Sequence, residues 1–108
     1  MKFMICVIDT GTGTGSAQEI KVIDQFNETL LGRQQLLMAE GIQSPEKSVV
    51  VDNRSGAGLK RLGPLHQTTE FVSGFWVVSA ASQSEAEEIA FEASKACNRK
   101  VELRALIR

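Results

Sequence analysis

The chain predicts an α+β fold, an antiparallel sheet with two helices on one face, and three observations carry the prediction. The run Glu70-Phe71-Val72-Ser73-Gly74-Phe75-Trp76-Val77-Val78 is apolar at both alternating sets of positions, with the single Trp in its middle. Phe3-Met4-Ile5-Cys6-Val7-Ile8 reads the same way. A strand with one wet face alternates apolar and polar residues, so near-continuous runs are expected where both faces are covered. Only two helical stripes are visible, enough for one face of a small sheet. A second copy of the chain is the expected cover for the other.

Taken in order, Phe3 to Ile8 form the first strand, and Asp9 to Gly15, alternating Gly with Thr, form a loop. Ser16-Ala17-Gln18-Glu19 fits a capping box, in which the Ser oxygen takes an early helix N–H and the Glu reaches back. Ile20, Ile23, Phe26, Leu30 and Leu31 then follow a helical stripe, with Gly32 as its left-handed terminator. Gln34 to Met38 fits either a helical extension or an edge strand. Val49-Val50-Val51 is a β-branched strand, Asn53 to Gly58 a turn, and Leu59 to Leu62 the return strand of a hairpin. A second loop runs from Gly63-Pro64 to about Thr69, before the long strand Phe71 to Ser79. Ser82-Gln83-Ser84-Glu85 is another capping box, opening a helix from about Ser84 to Cys97 that buries Ala86, Ile89, Ala90, Ala93 and Cys97. Val101 to Ile107 closes the chain as a largely alternating strand. Hairpin strands between two strand–helix crossovers make this order ferredoxin-like.

At 108 residues the chain reads as one domain, residues 1 to 108. Twelve basic and 13 acidic residues are intermixed, for a net charge of -1, which leaves no electrostatic footprint for nucleic acid or an anionic membrane. The basic cluster Asn98-Arg99-Lys100 sits at a helix end, where cations suit the macrodipole. Cys6 and Cys97 are too few for a disulfide framework and have no metal spacing. The first apolar run is shorter than a secretory core or a membrane span, so the expected compartment is the cytoplasm.

Four segments carry a family resemblance. Phe26-Asn27-Glu28-Thr29-Leu30 resembles F-N-E-E-L, and Ala39-Glu40-Gly41-Ile42-Gln43 resembles G-E-G-L-Q. Glu70 to Trp76 resembles E-[LI]-x-x-G-[FY]-[WY], and Val101-Glu102-Leu103-Arg104 a closing V-E-[VI]-R. Together they are similar to the YCII-related superfamily, in its DGPF-type branch. The resemblance implies a dimeric α+β barrel, in which two ferredoxin-like sheets pack face to face, and makes Gln34 to Met38 extended. The branch signature D-G-P-F-x-E-x-K-E falls on Leu62 to Glu70 and keeps Gly63, Pro64 and Glu70; its Asp, first Glu and Lys positions hold Leu62, Gln67 and Thr69. Relatives of this type are discussed as lyases or isomerases with a His–Asp pair. The His of that pair lies on the first helix, which has none here.

Among chemistry-bearing residues, the loop Gly11 to Ser16 lacks the third Gly of a dinucleotide fingerprint and the Gly-Lys-Ser/Thr of a P-loop, and reads as a surface loop. His66, the only histidine, lies near Glu70, the pairing a general acid–base site would use. Glu40, Gln43, Gln67 and Trp76 are candidate ligand contacts. Of Phe75 and Trp76, one ring belongs beneath the helices and the other at a dimer seam. One His and no cluster of Cys or carboxylates make no metal shell, and no cofactor is expected. The expected protein is a homodimer through its sheet, binding a small molecule in a cleft beside the Gly63 to Glu70 loop. The alternatives are a lyase or isomerase using His66 and Glu70, and a protein-interaction module.

Overall fold

The structure, a computed structural model, describes residues 1–11 and 15–108. The centre of the Gly-Thr loop therefore lies outside the described residues. The elements are β1 (Lys2–Asp9), α1 (Ala17–Gly32), β2 (Leu36–Gly41), β3 (Val49–Asp52), β4 (Leu59–Leu62), β5 (Phe71–Ser79), α2 (Gln83–Cys97) and β6 (Lys100–Ala105). Four strands form one antiparallel sheet in the order β2-β5-β1-β6, and β3 and β4 form a separate hairpin. That order, with α1 and α2 as the two crossovers, is the ferredoxin-like α+β arrangement. Among the described residues, no helix is long and apolar enough to cross a membrane.

Strand register explains the core. Phe3, Ile5 and Val7 of β1 face Val78, Trp76 and Gly74 of β5, and all six are buried on the helix side. Leu30 of α1 and Ile89 of α2 pack onto them at 0% and 2% exposure. Fully burying a side chain of that size contributes about 1.5–3 kcal/mol. The small residues Ala86, Ala90, Ala93 and Ala96 are buried along α2 and bring its backbone close to the sheet. On the opposite face Met4, Cys6, Phe75 and Val77 are half-buried. Trp76 is the ring beneath the helices, and Phe75 is the ring on the open face. Between Val7 and Ile8 the register slips, so Ser73 is the extra residue and Ile8 pairs with Val72.

Several local expectations need correction. Gly32 is the last residue of α1, and the left-handed conformation falls on Gln34, at φ 59°. The apolar stripe of α1 is also narrower than its pattern: Phe26 and Leu30 are buried, whereas Ile20 and Leu31 are 54% and 59% exposed. Both helix N-termini keep only half of the capping box. Ser16 Oγ and Ser82 Oγ accept from the N–H groups of Glu19 and Glu85, each at 3.1 Å. Neither carboxylate returns to its own cap: Glu19 accepts from Arg99, and Glu85 accepts from the Ala81 N–H and from Gln35. A stronger or better-placed donor wins each of them. The strand β6 ends at Ala105, two residues short of the alternating pattern.

Candidate functional site

Two adjoining cavities open where β2 leaves the sheet and β5 enters it. The larger, of about 600 Å³, lies between α1 and the ends of β1, β2 and β5. Val7, Ile20, Ile23 and Trp76 supply its apolar wall, while Asp9, Asn27, Gln43, Ser44 and Ser73 bring polar groups to it. Its volume is that of a small-molecule site, with the mixture such sites use: mostly apolar lining with a few placed polar groups.

One of those polar groups is fixed in orientation. The Trp76 indole Nε1–H donates to Asn27 Oδ1 at 2.6 Å, and the indole stacks edge-on to Phe26 with centroids 5.5 Å apart. An indole N–H only donates, so it selects the oxygen end of the amide. The Nδ2 group of Asn27 must then point elsewhere, and it has no hydrogen-bond partner among the described residues. Asn27 is half-buried on the cavity wall, so this places two N–H donors at the cavity's edge.

A compact charge cluster closes the end of the cavity. Arg99 Nε donates to Asp9 Oδ2 at 3.0 Å, and Nη1 to Glu19 Oε2 and to the Cys97 carbonyl, each at 2.7 Å. The Arg99, Asp9 and Glu19 side chains are only 16%, 13% and 26% exposed. The hydrogen bond to Glu19, followed by the charge of Asp9, holds the guanidinium above its ordinary range. Asp9 Oδ1 also accepts from the Thr10 and Gly11 N–H groups, at 2.8 and 3.2 Å. One cation between two carboxylates leaves this end of the cavity net negative. Cys97 lines the same wall, and burial pushes its thiol pKa up, which keeps it protonated and weakly nucleophilic at neutral pH.

The residues singled out in the sequence divide between the two cavities. Glu40, Gln43 and Trp76 line the larger one. His66 and Gln67 line the smaller, of about 490 Å³, together with Glu46, Pro64 and Val72. Gln43 borders both. Glu70 lines neither of these two; its carboxylate pairs with Lys100 Nζ, and its carbonyl accepts from Thr68 Oγ1 at 2.6 Å. Among the described residues no hydrogen bond joins His66 to Glu70, and both are exposed.

Sequence reasoning passed over Asn27, Asp9 and Arg99. Asn27 had a readable signal: it stands four and seven residues beyond Ile23 and Ile20 and shares the face of the apolar stripe. A polar residue on that face asks for a buried partner. Arg99 looked like an ordinary helix-end cation, and its carboxylates are remote in sequence.

The fold and site define a small α+β protein with a ligand-sized, mainly apolar cleft at one end of a ferredoxin-like sheet. The chain belongs to the YCII-related domain family, which matches across residues 1–108. No curated protein matches the chain.

Proposed function

We propose that this protein is a homodimer that binds a neutral, largely apolar small molecule bearing a carbonyl-type acceptor, held in the larger cavity by Asn27. The observation that carries this reading is the Asn27–Trp76 pair, which presents amide donors to a cavity whose other walls are mainly apolar. The net negative charge of the Asp9–Arg99–Glu19 cluster disfavours an anionic ligand. Binding is preferred to catalysis because the wall offers no activated nucleophile among the described residues: Cys97 is held protonated, and no hydrogen bond joins His66 to Glu70. The loss of three charged positions of the DGPF-type signature agrees with this. The homodimer is supported by the open sheet face, where Met4, Cys6, Phe75 and Val77 stay half-buried in one copy. The cytoplasm remains the proposed compartment.

The single Trp is part of the site, so ligand entry has a direct optical readout. A panel of uncharged cyclic ketones, esters and amides is screened by Trp76 fluorescence and thermal shift. The control is Asn27→Asp, which keeps an acceptor for the indole and removes the two donors. Compounds that quench or shift Trp76 should bind Asn27→Asp at least about tenfold more weakly, the share of one hydrogen bond to a buried group. Equal affinity for the two proteins refutes the assignment.

A further inference from the structure

The β3–β4 hairpin is an arm whose apolar face stays largely exposed among the described residues. Its extensive contacts are within itself, and it packs closely on neither helix and on no strand of the main sheet. In antiparallel register Val49 faces Leu62 and Val51 faces Lys60, so these four side chains share one face of the ribbon. Val49, Val51 and Leu62 are 49%, 66% and 75% exposed on it. Two strands alone are marginal in water, and a three-residue apolar face left wet makes them more so.

Size and area point to what covers it. The chain's radius of gyration is 15.7 Å, against about 13 Å for a compact domain of its length. Its accessible surface is 7581 Å², against about 5,900 Å² for an ordinary monomer of 11.8 kDa. The excess is about 1,700 Å² per protomer. A standard-size seam through the sheet faces removes only about 800 Å² from each partner. A second surface of similar extent is therefore left over, and Val49, Val51, Leu59 and Leu62 of the hairpin, 49–75% exposed, contribute to it.

Charge points the same way. Residues 44–65 carry four basic side chains (Lys47, Arg54, Lys60, Arg61) and two acidic ones (Glu46, Asp52). The rest of the chain carries eight basic and eleven acidic residues. A net-positive arm with an apolar face complements the net-negative body of another copy.

We infer that the β3–β4 hairpin is a dimer arm: in the homodimer proposed above, on which this inference rests, each protomer's Val49–Val51–Leu62 face packs on the body of its partner. The arm is thereby ordered by assembly and not by its own chain.

The test uses the whole chain. Val51→Glu combined with Leu62→Glu alters positions exposed in one copy, so it leaves the protomer fold intact. Val77→Asp instead strikes the sheet face. Sedimentation equilibrium should show the arm variant's dimer Kd raised by about 100-fold or more, since two charges would be buried without partners. If the arm variant keeps the wild-type Kd while Val77→Asp is monomeric, the arm is overturned and the sheet seam stands. If the wild-type chain is monomeric at about 10 μM, both fall. Hydrogen exchange on the unmodified protein gives a second reading. Ladder amides of Val50 and Arg61, which face each other across the hairpin, should become protected as concentration rises through the dimer Kd, and exchange rates independent of concentration overturn the proposal.

Discussion

Replacing Arg99 by Met removes the charge that ties β1, α1 and the turn after α2 together while keeping much of the stem's apolar contact. The guanidinium makes two charge-assisted hydrogen bonds, 3.0 Å to Asp9 and 2.7 Å to Glu19, with all three side chains less than a third exposed. Such bonds contribute about 1.5–3 kcal/mol each. Breaking a buried pair also strands its partners, and here two like-charged carboxylates would be left facing each other. Partial solvent access reduces the total, so the expected loss is about 3 kcal/mol. With an unfolding entropy of about 2.1 cal/mol/K per residue over 108 residues, that lowers Tm by about 13 °C. Urea unfolding followed by far-UV circular dichroism, at one fixed protein concentration, measures it. Arg99→Lys keeps the charge but reaches only one carboxylate well, and should recover about half of the loss. A loss below about 1 kcal/mol for Arg99→Met would refute the reasoning, because that is what a solvated surface pair contributes.

Gly74→Ala should destabilise the protein by about 1–3 kcal/mol, read from the same urea curves. The new Cβ would lie 3.0 Å from the Glu40 carbonyl oxygen and 3.4 Å from the Gly41 Cα, so β2 would have to shift; a neutral effect refutes this. The two thiols should differ in alkylation. Cys97 is 2% exposed and stays unmodified in the native protein, whereas Cys6, half-buried on the open sheet face, reacts slowly. Burial, and then the Glu102 carboxylate, raise the Cys6 pKa, so its labelling rate should keep climbing beyond the pH at which a free thiol levels off. By linkage, a raised thiol pKa contributes stability at lower pH that is lost as pH rises past the ordinary thiol range. Mass spectrometry after timed alkylation reads both sites, and Cys6 labelling that slows with protein concentration would place it at the proposed seam.

How much was legible beforehand depended on the range of the signal. The near-continuous apolar runs Phe3–Ile8 and Phe71–Ser79, the Ser16 and Ser82 caps and the alanine face of α2 are short-range patterns, and each marks an element that forms. Those patterns, with the order of elements, were enough for the ferredoxin-like sheet, because few topologies satisfy two crossovers and a hairpin. Only the folded chain could show where the carboxylates of Glu19 and Glu85 go, since their partners Arg99 and Gln35 are 80 and 50 residues away. The same holds for Asn27 and Trp76, 49 residues apart. It also holds for Glu70, whose carboxylate pairs with Lys100, 30 residues away. Periodicity states which side of an element is apolar. Contacts between polar groups distant in sequence depend on angstrom-scale placement, which no local pattern encodes, and these are the contacts that make the site.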